Sequence, residues 1–218
     1  MNVPPATLTH RLRARRRVKG GDASKVVVWQ VAHPGEDTSF YDFEAPDNVL
    51  LRERGMEIAE QLADEQVGLV VFVGPMPTAW PDIFDAAERL RQGGAACVLA
   101  TPPDVFNAMG APVIAYHFTI VYALLPQEPT AEDLARVKIL ADLSPRCAIE
   151  ARVYGHRYRL TAGQIDPKAQ EQLRRLGVKR VEAWPPPTSI PCRVVSPTGE
   201  ITTGESVWAA DHIWTHRA

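Results

Sequence analysis

No stretch of this 218-residue chain approaches the ~20 consecutive apolar residues that a membrane-spanning helix needs. The longest apolar segment, 112–125, is too short and carries His117. Cysteine is scarce: Cys97, Cys147 and Cys192 form an odd, scattered set, which argues against a disulfide framework and for a reducing compartment. The N-terminus lacks the apolar run of a secretory signal. It is Arg-rich and acid-poor, a composition that organelle transit peptides share, and the cytoplasm is the expected location. There is no Walker A loop, no Gly-rich dinucleotide fingerprint, no Cys-x-x-Cys and no His-Glu-x-x-His, so no cofactor is expected. His212 and His216, with Asp211 beside them and Cys192 upstream, have a zinc-like spacing that a polar tail also explains. No metal is expected either.

What is present is ordinary in amount and uneven in layout. Apolar residues make up 45% and charged residues 23%, as in globular domains. The net charge of −2 conceals a basic arm: residues 1–25 hold five Arg and two Lys against Asp22 alone. Arg11, Arg13, Arg15, Arg16 and Arg17 lie between Pro4-Pro5 and Gly20-Gly21, which marks 1–24 as a flexible segment. Two readings of it stand. It is a solvated tail, or it lies along nucleic-acid phosphates or an acidic partner surface.

The chain from 25 to 145 reads as an α/β domain organised around residues 67–103. Val67-Gly-Leu-Val-Val-Phe-Val73 is a short continuous apolar run, as expected of a strand buried on both faces. Gly74-Pro75 ends it; Ile83, Ala86, Ala87 and Leu90 then recur at helical spacing up to Gly93-Gly94. Residues 96–100 form the next strand, and a parallel pair requires such a crossover helix. A first strand is expected over 25–31 and a helix over 49–65, capped by Asp47 or Asn48. Gly55 inside that helix costs about 1 kcal/mol relative to Ala, which points to close packing there. A short helix is expected from Pro102-Pro103 to Met109, then a strand over 112–117; residues 118–125 suit either a continuing strand or a buried helix. Thr130-Ala-Glu-Asp133 resembles a capping box that opens a further helix. Residues 146–218 read as a small α+β subdomain or appendage. It holds a hairpin over 148–160, a helix opened by Asp166-Pro167, a strand over 178–184 and a second hairpin turning at Pro197-Thr-Gly199. The expected fold is therefore a mainly parallel, Rossmann-like three-layer α/β sandwich with four or five strands and a C-terminal α+β appendage.

Ligands of open α/β sheets bind outside the carboxyl ends of strands. The first strand runs into Ala32-His33-Pro34-Gly35-Glu36, and the expected strand over 112–117 would end in His117, which would set both histidines on one rim. With Leu51-Arg-Glu-Arg-Gly55 in the next helix and Val73-Gly74-Pro75 after the second strand, the chain resembles the histidine phosphatase (phosphoglycerate mutase-like) superfamily over about 25–125. That resemblance implies His33 as phosphate-accepting nucleophile and His117 as part of the phosphate pocket, with Gly35, Glu36, Gly74 and Pro75 around the ligand. Ala32 stands where the family has its first pocket Arg, Pro34 intervenes before the Gly, and no Arg follows Gly74-Pro75. Without guanidiniums to hold the phosphoryl oxygens, the expectation is a domain that binds a small phosphorylated ligand with weak turnover or none.

A shorter segment, Val73-Gly-Pro-Met76 with Pro81, Phe84 and Ala86-Ala87-Glu-Arg-Leu-Arg91, is similar to the opening of nucleoside 2-deoxyribosyltransferase-like proteins. It implies a nucleoside- or nucleotide-processing enzyme with a carboxylate beside Gly74-Pro75. A third class is a non-catalytic interaction or assembly protein that uses the basic arm.

Overall fold

The computed structural model describes residues 25–41, 43–143, 148–154, 166–184 and 189–210, with only the backbone for 151–154 and 210. The chain alternates strand and helix: β1 (Val26–Gln30), α1 (Arg52–Asp64), β2 (Leu69–Val73), α2 (Ile83–Gln92), β3 (Ala96–Thr101), α3 (Gly110–His117) and β4 (Ile120–Pro126). Then come α4 (Ala131–Ala141), β5 (Ala148–Tyr154), α5 (Pro167–Arg175), β6 (Arg180–Ala183), β7 (Ile190–Val195), β8 (Ile201–Ser206) and α6 (Val207–Ala210). The eight strands form one sheet in the order β6-β5-β4-β3-β2-β1-β7-β8, parallel except for the β7–β8 hairpin. The expected mainly parallel α/β architecture is the one observed, with more strands than foreseen. Residues 148–210 do not stand apart from it: β5 and β6 extend the sheet beyond β4, and β7 and β8 extend it beyond β1.

Six strands in sequential order, joined by right-handed crossovers, put every crossover helix on the same face. The buried residues agree. Val27, Trp29, Phe72, Leu99 and Val121 of the sheet pack with Ile58 and Leu62 of α1, Ile83 and Leu90 of α2, Ile114 of α3, Leu140 of α4 and Leu173 of α5. The alternate residues, among them Val28, Val71, Val98 and Tyr122, face a thinner layer made by Tyr41, Trp184 and Trp208. The chain between β6 and β7 shows that the sheet also curls. A flat sheet would separate these strands by six spacings, roughly 29 Å, whereas the seven Cα–Cα steps from Ala183 to Ile190 reach at most about 25 Å. Curling brings Trp184, just after β6, onto Trp208 of α6, with ring centroids 3.8 Å apart. α6 itself packs under β7, β1 and β2. The aromatic side chains fill the inside of the curl where a second row of helices would otherwise lie.

Four local expectations are corrected. Residues 112–117 belong to α3, not to a strand; the strand is β4, from Ile120. Pro112 falls in the first turn, where its missing N–H is harmless, and the Asn107 side chain accepts from the N–H groups of Met109 and Gly110. The expected helix before it shrinks to a single 3-10 turn, Pro103–Val105. α1 starts at Arg52 with Leu51 as N-cap, because Leu50 is tucked against the Gly199 turn and Trp80 side of α1, so that neither Asp47 nor Asn48 reaches the helix. β5 pairs in parallel with β4 on one side and β6 on the other, which leaves no edge for a hairpin partner; 155–160 lie outside the described residues. The capping box at Thr130 and Asp133 is present in full, and Asp166 accepts from the Lys168 N–H at the start of α5. The basic arm 1–24 and the histidines at 212 and 216 also lie outside the described residues.

Gly55 is the close contact that its helix position suggested. A Cβ there would lie 2.4 Å from Cζ2 of the buried Trp80. Gly55→Ala would gain helix propensity in an open helix. Here the methyl displaces the indole, and we expect a net loss of about 1–3 kcal/mol in urea unfolding. A more stable variant would contradict this packing.

Candidate functional site

The carboxyl edge of β1 is built by two tight backbone devices. Residues 33–36 form a turn with Pro34 second and Gly35 third; Gly35 has φ +80, and the Glu36 N–H donates to the His33 carbonyl at 3.2 Å. The Glu36 carboxylate accepts from the His33 N–H at 2.8 Å and closes the turn from the other side. One strand over, the Val31 N–H donates to the Val73 carbonyl at 2.8 Å, and Gly74 comes so close that a Cβ would sit 1.8 Å from the Val31 carbonyl oxygen. Gly35 and Gly74 thus shape the edge through the backbone, and Glu36 through both its N–H and its carboxylate.

Beside this edge lies a small cleft. Its walls are Trp29 to His33 of β1 and its extension, Val49 and Leu50 before α1, Trp80 before α2, and Pro197 after β7. Its volume is about 10 Å³, counted as space open to the centre of a water molecule, which is room for one water or one small polar group. The location follows from topology. The chain leaves β1 toward β2 on one side while β7 docks on the other, and this change of direction is where α/β sheets open a crevice at their carboxyl ends.

The lining is chemically specific. Six buried side-chain polar atoms have no hydrogen-bond partner among the described residues, and three belong to residues of this cleft: Trp29 Nε1, Trp80 Nε1 and His33 Nε2. Trp29 is 0% exposed and Trp80 2%. Their rings pack with centroids 5.4 Å apart, and Trp29 also stacks on Phe72 at 5.3 Å. Packing therefore fixes both indoles, and each N–H is a donor without an acceptor. The amino end of α1 adds to them. Its N-cap Leu51 offers no side-chain acceptor, so the first-turn N–H groups remain uncapped next to Val49 and Leu50. The nearby guanidiniums are already engaged: Arg52 with Asp82 and Asp85, Arg54 with Glu57 and with the Gly199 carbonyl. At the cleft the described residues leave two indole N–H donors and one imidazole nitrogen on lining residues, close in sequence to the uncapped start of α1, with the Glu36 carboxylate held on the His33 N–H.

The structure does not bring the two histidines together. His33 is at the carboxyl edge of β1, whereas His117 ends α3, which runs back to the amino end of β4. The shared rim expected for them depended on a strand over 112–117 that is a helix. His117 packs between Phe84, at 5.3 Å, and Tyr116, at 4.9 Å, with Nδ1 4.0 Å from a Glu88 carboxylate that pairs with Arg91. Gly74 and Pro75 adjoin the cleft edge without lining it, and no carboxylate is among the described residues that do. Cys97 and Cys192 are free and buried, and burial pushes their thiols up to about 12 and about 11. Sequence reasoning reached His33 but missed Trp29, Leu50, Trp80 and Pro197, which meet only when the chain is folded. Among known proteins, no family model matches the chain, and no curated protein matches it.

Burial pushes the His117 imidazole below its ordinary pKa of 6.5, and the Glu88 carboxylate opposes the shift. The unfolded chain therefore takes up this proton first as the pH falls. The contribution of His117 to stability is full above about pH 6.5 and is lost as the pH drops from there toward the depressed value. Urea unfolding at pH 7.5 and 5 should show a smaller acid loss for His117→Gln than for the parent. Equal losses would remove His117 as the source.

Proposed function

We propose that this protein binds a small phosphorylated ligand at the carboxyl edge of β1, without turning it over. The observation that carries this reading is that three buried ring nitrogens without a partner among the described residues, Trp29 Nε1, Trp80 Nε1 and His33 Nε2, belong to residues lining one cleft, and that two more lining residues, Val49 and Leu50, lead into the uncapped start of α1. One phosphoryl oxygen enters the cleft and accepts from the indoles. The others face the first turn of α1 and the His33 imidazole. The likeness to histidine phosphatases thus reduces to His33 on its turn. A phosphoryl transfer also needs cations on the departing charge, and the guanidiniums beside the cleft already hold carboxylates. Lacking a carboxylate in the cleft, the deoxyribosyltransferase-like reading has no nucleophile there.

The test is a titration with inorganic phosphate, read by tryptophan fluorescence and calorimetry, with hydrolysis of a phosphate monoester followed alongside. We expect saturable binding, a loss of roughly tenfold in affinity in His33→Ala, and background hydrolysis in both proteins. Leu51→Asp separates this site from general damage. An N-cap carboxylate should stabilise the fold by about 1 kcal/mol while it occupies the amino end of α1 and repels phosphate. Binding that survives Leu51→Asp, or no saturation at millimolar phosphate, would overturn the proposal.

A further inference from the structure

The walls of the cleft are not held equally. Trp29 is paired on both sides, with Phe72 of β2 and Val195 of β7, and Trp80 packs on Trp29 and over Gly55. Pro197, by contrast, lies in the 196–200 turn of the β7–β8 hairpin. β8 is the last strand of the sheet and pairs with β7 alone among the described residues. The turn is stiff within itself. The Ser196 N–H donates to the Glu200 carbonyl at 2.9 Å, the Gly199 N–H to the Ser196 carbonyl at 2.9 Å, and the Glu200 N–H to Ser196 Oγ at 3.0 Å. Its seat on α1 is Gly199, at φ +84. A Cβ there would lie 2.9 Å from Cδ1 of Leu50, itself a lining residue, 3.0 Å from Cδ1 of Ile58 and 3.2 Å from Cγ of Arg54. The Arg54 guanidinium closes the seat: Nη2 donates to the Gly199 carbonyl at 3.1 Å while Nη1 pairs with Glu57.

We infer that Arg54 is a positioning residue: it latches the 196–200 turn onto α1 and so sets how far the cleft opens on the side of Pro197 and Leu50. The cleft as it stands has room for one water. A tetrahedral phosphoryl group is wider than one of its oxygens, so seating the ligand of the anion-binding reading, on which this rests, requires a wall to give. The β1 wall is held by a strand on each side. The hairpin turn yields at the cost of one hydrogen bond and a small apolar contact. The Arg54 side chain is 49% exposed, so water takes over both partners when that bond breaks, and the latch opens without unfolding the sheet. Because Gly199 bears on Leu50, release of the turn frees two lining residues at once.

Exchange of the Trp29 and Trp80 indole N–H groups with D2O, followed by NMR, reads the opening without any ligand. Both are buried and lack a partner among the described residues, so solvent reaches them when the cleft opens. Arg54→Met keeps an aliphatic stem over Gly199 and loses the donor. In it the two indoles should exchange about tenfold faster, while the backbone amides of Val71 and Leu99, in the middle of β2 and β3, stay within about twofold. Arg54→Lys, whose ammonium still donates, should return the indoles toward the parent rate. Unchanged indole rates in Arg54→Met, a rise shared by Val71 and Leu99, or no recovery in Arg54→Lys would overturn the latch. Rapid mixing with inorganic phosphate then tests the gating: association and dissociation should both quicken in Arg54→Met, with little change in affinity. Phosphate rates that stay the same while the indoles exchange faster would overturn it. A complete absence of phosphate binding would overturn the anion-binding reading, and the exchange rates would still decide the latch.

Discussion

Parallel pairing of consecutive strands is the constraint on which this structure depends. Each parallel neighbour requires a crossover, each crossover keeps one hand, and the sequential order from β1 to β6 therefore assigns every crossover helix to one face. The other face needs a different cover, and the curl of the sheet around Trp184, Trp208 and Tyr41 provides it. The same order leaves β1 with β2 on one side and β7 on the other, so the crevice opens beside β1.

The cleft carries a local cost that the rest of the fold offsets. A buried donor without an acceptor costs about 1–3 kcal/mol, and the residues that line this one cleft carry two such indole N–H groups and an unpartnered imidazole nitrogen. The surrounding packing holds them there: Trp29 between Phe72 and Trp80, and Trp80 seated on Gly55. Across the sheet's helix face, Arg193 of β7 pairs with Glu65 at the end of α1, and Gln61 and Arg193 together hold the Glu65 carboxyl below its usual range. β7 and α1, the elements next to the lining residues Pro197 and Leu50, are thereby fastened together at the far end from the cleft.

His117 shows how a sequence reading of a site goes astray. Residues 112–117 are apolar and β-branched enough to read as a strand, and a strand would have carried His117 to the rim beside His33. Pro112 and the cap from Asn107 decide for a helix, and one change of element moves the side chain to the opposite edge of the sheet. Its surroundings, Phe84, Tyr116 and a carboxylate already paired with Arg91, are those of a partly buried residue packed at the edge of the helix layer.

By itself the sequence determined the elements whose signals are local. The Val-rich runs of β1 and β2, the helical stripe of α2, the capping box of α4, Asp166-Pro167 before α5 and the Pro197-Thr-Gly199 turn depend on a few adjacent residues. It also placed His33 after a strand in a turn that Pro34 and Gly35 dictate. Tertiary structure alone decided that β5 to β8 join the one sheet, that the sheet curls, and that Trp29 and Trp80, far apart in sequence and each with an unpartnered indole N–H among the described residues, line one cleft with His33. The physical reason is that strand order and the partners of a buried polar atom are properties of non-local packing, and no window of neighbouring residues contains them.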